Sequence, residues 1–389
     1  MARVLPFRPL MYSASAGPIP EPWVAEGPLP DATRRSLLSQ PGHGLHFAEA
    51  FDSRGALSGA LREGRLTRAD TPGYAILELA AEVPGEAPLH VLFGLTPPQE
   101  NVQPLEEGRT PSPAPLVVPT VGLAADDHMI LRELLAEGAG AGRLLLEGRL
   151  DDGRAFRILS EERGPILRRI QGVLAEAPVR PLGPLAERSP SLVAIIPLSG
   201  PGWRARAVHR AVKGLEGFQI DTFLRLVQDW ARIFPLEGRL DTVAGRAAAR
   251  EQLGTLSRGR RAHLVVLPEG KTCLLRYRQG LELPKLPAVP KSPTLRSLDL
   301  AMLNALVLRT VLGLRDPEAV GHPNVFTVPT LETLAREVDA GRFQVGFGLN
   351  PPPIWELRAV MEAGLSLPPR TLRLEPQIPA GLLFGDPDA

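Results

Sequence analysis

Proline and glycine cap the length of any element this chain can build. There are 42 Pro and 38 Gly in 389 residues; proline interrupts a helix or strand ladder, and glycine weakens the interior of either. The breaks fall between periodic segments rather than merging into low-complexity sequence. They are densest in Thr110–Pro119, Ala177–Ser191 and Leu283–Pro293. With the chain length, these stretches suggest one 389-residue unit made of lobes 1–180 and 191–389, joined by Pro-rich connections at 110–119, 177–191 and 283–293. No repeat of fixed period is present.

Between the breaks the periodicities are clear. In "DTFLRLVQDWARIF", Asp221 caps a helix whose Phe223, Leu226, Val227, Trp230 and Phe234 recur every three or four residues. "SLDLAMLNALVLRTVLG" is apolar around most of its circumference and predicts a buried helix stopped at Gly313. "TLETLAREVDAG" places Leu331, Leu334 and Val338 on one side, and "PPPIWELRAVMEAG" opens on proline, whose missing N–H is harmless in a first turn. "DDHMILRELLAEG" and "GPILRRIQGVLAEA" add two more helices.

"FQVGFGL" alternates as a strand, with Phe343, Val345, Phe347 and Leu349 on one face and Gln344, Gly346 and Gly348 on the other. "HLVVL" and "CLLRYR" flank "PEGKT" as a hairpin, and "LVAII" predicts a strand buried on both faces. Helices and strands mix without a regular βαβ repeat, so the expected fold is α+β or irregular α/β, with mixed sheets and packed helices.

Composition narrows the partners. Net charge is +1, so no global field draws the chain toward nucleic acid or anionic lipid. Only four of the 44 basic residues are Lys, namely Lys213, Lys271, Lys285 and Lys291. The single cysteine, Cys273, excludes an intramolecular disulfide and a thiolate cluster, which fits a reducing compartment. The N-terminus is broken by Pro6 and Pro9 before an apolar leader forms, and no apolar run reaches bilayer-spanning length. A cytoplasmic location is expected, and oligomeric state is left open.

Most chemical motifs dissolve on inspection. "EGKT" (Glu269–Thr272) lacks the earlier glycine of a phosphate loop, since Val265 stands there, and it lies between strands. "GAGAGR" (Gly138–Arg143) follows a helix, the reverse of a dinucleotide fingerprint, and reads as a helix C-terminus. The histidines at 43, 46, 90, 128, 209, 263 and 322 lack metal-ligand spacing, and no nucleophile elbow occurs. No motif thus indicates NAD, a P-loop nucleotide or a structural metal, and the cofactor stays unknown. Asp126 and Asp127 are accounted for as helix caps. "VHRAVKGLEGF" (Val208–Phe218) remains, where His209, Arg210 and Lys213 could hold a phosphate or carboxylate. On spacing alone, a solvated basic helix turn is the plainer alternative.

Several blocks in order resemble the bacterial and archaeal family called domain of unknown function 1015. They are "LPFRPLMY", "LSGALREGRLTRADTPGYAILEL", "VHRAVKGLEGF", "LDLAMLNALVLRTVLGL" and the closing "FQVGFGLNPPPIWELRAVMEAGLSLPPRTLRLEPQIPAGLLF". The departures bear on chemistry. The family's Asp-Gly-His-His-Arg block is absent, and "VRPLGPLAERSPSLVAII" stands in that region. A Pro-His-Glu-x-Thr motif is reduced to "PLEEGRT", with Leu105 in place of His, and Lys-Ser-Thr becomes Arg370, Thr371 and Leu372. That missing block resembles one in the partition-protein-B and sulfiredoxin superfamily, which includes nucleotide-using free-serine kinases, so the resemblance implies a distantly similar fold.

Losing the block removes acid–base groups, whereas His209, Arg210, Lys213, Arg370 and Thr371 retain anion-gripping donors. The expectation is a catalytically degenerate member binding a small anionic metabolite or nucleotide, with no nucleic-acid or membrane partner. Two alternatives stand beside it. One is an active phosphotransferase with relocated groups, drawn from His43, His46, Glu106 or Glu107. The other is an interaction scaffold whose basic segment is a solvated face.

Overall fold

A computed structural model of the chain describes residues 4–13, 53–82, 85–97, 118–120, 125–150, 153–176, 191–196, 202–236, 239–258, 261–279, 290–319, 322–363, 365, 367–368, 370–376, 378 and 382–385. His43, His46, Glu106, Glu107 and nearly all of the three Pro-rich connections lie outside them. The chain divides into two compact units. The first comprises Met1–Trp203, Gly364–Ser366 and Pro376–Ala389; the second comprises Arg204–Ala363 and Leu367–Glu375. The architecture is α+β, with helices packed on largely antiparallel sheets.

In the first unit the elements run β1 (Leu10–Tyr12), α1 (Ser53–Arg62), β2 (Leu66–Arg68), β3 (Tyr74–Leu79), β4 (Leu89–Thr96), β5 (Val118–Thr120), α2 (Ala125–Ala141), β6 (Arg143–Arg149), β7 (Ala155–Glu161), α3 (Gly164–Glu176) and β8 (Ser191–Ile195). Six strands form one sheet in the order β5-β8-β4-β3-β7-β6, parallel only at β5–β8. Leu131, Leu134 and Leu135 of α2 and Ile166 and Ile170 of α3 cover Ile76 and Leu159 of the sheet. The "LVAII" strand is buried throughout, as its uninterrupted apolar run predicts. "GAGAG" does end a helix. A side chain at Gly138 would lie 2.6 Å from Ile76 Cδ1, so this glycine also lets α2 press onto β3.

The second unit contains β9 (Arg204–Ala207), β10 (His209–Val212), α4 (Ile220–Val227), β11 (Ala231–Pro235), α5 (Val243–Leu256), β12 (Ala262–Val266), β13 (Thr272–Tyr277), α6 (Pro293–Arg296), α7 (Asp299–Met302), a π-helix (Leu303–Val311), β14 (Val325–Val328), α8 (Leu331–Asp339), β15 (Val345–Gly348), α9 (Ile354–Glu362) and β16 (Leu372–Glu375). Its main sheet runs β11-β13-β12-β15-β10-β14, antiparallel throughout, while β9 and β16 form a separate ribbon.

The alternation of "FQVGFGL" decides which layer covers which face. Val345, Phe347 and Leu349 join the core under α4 and the π-helix. On the reverse face, Gly346 and Gly348 leave room for α8: a side chain there would come within 2.8 Å of Leu334 and 2.9 Å of Leu331. Both leucines are nearly fully buried, each burial contributing about 1.5–3 kcal/mol. Thr330 caps α8 by accepting from the Thr333 N–H, and Gly341 ends the turn at φ +70.

Three expectations change. The helix from Asp221 does not continue through "WARIF": it stops after Val227, and Ala231–Pro235 becomes β11, paired with Cys273–Tyr277. The apolar period fits either element there, and pairing on β13 decides it. Asp221 lies in the first turn, behind Gln219 at the cap position. The buried helix at "LDLAMLNALVLRTVLG" forms and stops at Gly313 (φ +68), but Leu303–Val311 adopts the wider π hydrogen-bond pattern. Finally, "HRAV" is a buried central strand rather than a helix turn.

Candidate functional site

Two clusters of charged and titratable residues lie at one end of the second unit's sheet. Strand β15 lies between β12 and β10 and runs antiparallel to both. The starts of β10 and β12 therefore meet the end of β15, two strand spacings or about 10 Å apart. A cationic cluster lies at the β10 start, and a mixed-charge cluster at the β12 start.

His209 and Arg210 are both nearly fully buried, and neighbouring strand residues point to opposite faces. The Leu349 N–H donates to His209 Nδ1 at 3.2 Å, which places the imidazole proton on Nε2. Burial, then the charges of Arg250, Arg210 and Arg373, push the His209 pKa down to about 3, so the ring is neutral. Arg210 donates from Nη1 to the Val208 carbonyl at 2.9 Å and the His209 carbonyl at 3.3 Å, and from Nη2 to the Arg370 carbonyl at 3.0 Å. Among the described residues no carboxylate pairs with it. Burial, reinforced by Arg370, lowers its pKa to about 9. A buried guanidinium held only by carbonyl oxygens beside other guanidiniums is the chemistry of an anion receptor.

Of the residues that the sequence singled out, the fold brings together His209, Arg210 and Arg370. Arg370 holds a left-handed backbone at φ +57, which costs a non-glycine residue roughly 1 kcal/mol. Thr371 follows it and donates its hydroxyl to the Pro368 carbonyl at 2.6 Å. Lys213 is separated from them. It lies beyond the far end of β10, exposed, with its ammonium 4.5 Å from the Phe326 ring centroid. The adjoining Gly214 (φ +72) makes a corner that Asn324 ties down through the Lys213 and Gly214 carbonyls.

Sequence reading missed Arg250 on α5 and Arg373 on β16. Both are ordinary arginines in their local context, and only the fold carries them to His209. Arg373 is held by Glu375 at 2.6 Å, a carboxylate that also holds Arg206 at 2.6 Å.

The second cluster was also missed. Arg261 pairs with Asp299 at 3.2 Å and Glu356 at 2.5 Å, so one guanidinium serves two carboxylates. Burial raises the pKa of each carboxylic acid, and Arg261 opposes that rise. Asn350 donates to Ser257 Oγ at 2.6 Å and to Asp299 Oδ2 at 3.5 Å. The fully buried His263 donates from Nε2 to the Asp299 carbonyl at 3.0 Å, leaving Nδ1 to accept from the Tyr277 hydroxyl at 3.0 Å. Burial drives the His263 pKa to about 3. A usable signal was present: Asp299 is the one charge in the apolar "LDLAM", and Asn350 follows directly on a buried strand.

The "EGKT" segment is a hairpin corner between β12 and β13, with Glu269 and Gly270 both at positive φ. "LVAII" belongs to the first unit and "HRAVK" to the second. Among the described residues no group of three or more His, Cys, Asp or Glu could hold a metal ion, and no helix is long and apolar enough to cross a membrane.

No family model and no curated protein matches the chain. Among solved structures it is similar to a mutant free serine kinase in complex with AMP, at 14% identity and a TM-score of 0.29, over 68% of this chain and 88% of that one. A second free serine kinase mutant, in complex with ADP, gives 15% and 0.28 over the same shares. A conserved hypothetical protein from Pyrococcus furiosus gives 14% and 0.31, over 70% of this chain and 98% of that one. Scores of this size place no residue of this chain in a neighbour's site.

Proposed function

We propose that the second unit binds a small anionic metabolite or nucleotide at the start of β10, and does so without turning it over. The observation carrying this reading is Arg210, a buried guanidinium compensated by three carbonyl oxygens and by no described carboxylate. Carbonyl dipoles offset only part of the cost of burying a full charge, and a bound anion would offset the remainder. The strained backbone of Arg370 supports the reading, because glycine would occupy φ +57 more cheaply. The chain is on this view a divergent member of the domain of unknown function 1015 family. The absence of the Asp-Gly-His-His-Arg block from the sequence then argues against turnover.

A thermal-shift screen of nucleotides, phosphate esters and amino acids tests the assignment. A ligand should stabilise the wild type and lose that effect in Arg210→Ala/Arg370→Ala. Equal stabilisation of both proteins would remove it.

One observation favours a second reading, an active small-molecule phosphotransferase with relocated groups. Asp299 and Glu356 supply carboxylates with raised pKa at the same end of the sheet. Nucleotide turnover by the purified chain, abolished in Glu356→Gln, would establish it; absence of turnover with bound nucleotide would leave the binding role.

A further inference from the structure

The ribbon of β9 and β16 carries an oxyanion site filled by the chain's own carboxylate. Register sets Arg206 directly opposite Arg373, and Arg204 opposite Glu375. Strand alternation turns these four side chains to one face, while Ala207 and Leu374 are buried on the other. Two guanidiniums placed directly opposite each other repel. Glu375 offsets this with both of its oxygens: Oε2 accepts from Arg206 at 2.6 Å and Oε1 from Arg373 at 2.6 Å. One carboxylate thus fills a fork built by two arginines, a geometry that suits a phosphate equally well. Burial favours the protonated acid, but Arg206 and Arg373 outweigh it and hold the Glu375 pKa below the ordinary carboxylate value, so the group is an anion at neutral pH.

Both strands of the ribbon run into the start of β10. Arg206 lies three residues before His209, and Arg373 lies three residues after Arg370, whose carbonyl holds Arg210. Three residues reach at most about 11 Å, so the fork is close to the Arg210 anchor along either strand. Resting on the anion-binding reading above, we propose that Glu375 is an autoinhibitory counter-anion, which competes with the ligand for Arg373 and must be displaced from it by an incoming phosphate. The exchange is close to even. The Glu375 side chain is 33% exposed and that of Arg206 46%, and ion pairs so exposed hold weakly. The phosphate replaces one carboxylate–guanidinium contact with another of the same kind, and Glu375 keeps its bond to Arg206, so neither charge is stranded.

Calorimetric titration of methyl phosphate into the full chain at pH 8 tests this. Glu375→Gln should bind the probe about threefold to fivefold more tightly than the wild type, the range set by losing one exposed ion-pair competitor. Glu375→Asp, one methylene shorter, should shift affinity in the same direction by less. Arg373→Leu should bind more weakly, and Glu375→Gln added to it should bring no gain. A general change in surface charge would instead give the same gain with or without Arg373. Equal or weaker binding by both Glu375 variants, each shown to be folded by thermal unfolding, overturns the autoinhibitory contact, as does a gain that persists without Arg373. No saturable binding by the wild type or any variant overturns the anion-binding reading itself.

Discussion

Two arginines at the same end of one sheet sit in opposite electrostatic company. Arg261 is shared by Asp299 and Glu356, so its cluster has more negative groups than positive. Arg210 has backbone carbonyls for partners and guanidiniums for neighbours. The first arrangement is internally complete: each charge has an opposite charge at hydrogen-bond distance, and Asn350, His263 and Tyr277 satisfy the surrounding polar atoms. The second is incomplete without something negative. Burial alone does not mark a site; buried charge left without its counterpart does.

The largest way to test the contrast is to remove each guanidinium. Arg261→Met should destabilise the chain by about 3 kcal/mol, because the buried Glu356 and the partly buried Asp299 lose their shared cation; denaturant titration reads it. Arg210→Met should cost only about 1–2 kcal/mol, since the loss of its hydrogen bonds is offset by relief from neighbouring positive charge. If the two costs prove equal, the clusters are not different in kind.

Next in size is the pH response. His209 and His263 both have folded pKa values near 3, below the ordinary 6.5. Between those values the unfolded chain binds protons that the folded chain refuses, so stability is full above pH 6.5 and falls as pH drops toward 3. Each histidine contributes up to about 1.4 kcal/mol per pH unit. Asp299 and Glu356 act in the opposite sense: their raised values make the folded state the better proton acceptor, favouring it as pH falls. Denaturation at pH 6, 5 and 4 should show the slope, and His263→Phe should reduce it by about one proton.

The smallest expected effect is the most discriminating. Arg370→Gly relaxes the φ +57 backbone while keeping the carbonyl that holds Arg210. The variant should be unchanged or up to about 1 kcal/mol more stable by thermal unfolding, yet bind anions more weakly. A variant that is both less stable and unaltered in binding would make Arg370 a structural residue.

The alternation of Val345 to Leu349, the capped helix at Thr330 and the hairpin around Gly270 were legible because local pattern and final packing agree there. At Ala231–Pro235 they do not. The apolar spacing suits a helix, and pairing with β13, remote in sequence, settles it as strand. His209 and Arg210 were legible as a candidate pair but read as a helix turn, since two polar residues inside a short strand disguise its burial. Lys213 was grouped with them by proximity in sequence, and a strand's length carries it to the other end. Arg250 and Arg373 carried no local mark at all, because their role comes from meeting His209 across the fold.

The most direct measurement is calorimetry of methyl phosphate at pH 8 against the wild type and Arg210→Met, each shown to be folded. The anion-receptor account predicts saturable heat with the wild type and none with the variant. Equal binding curves from the two proteins would contradict it.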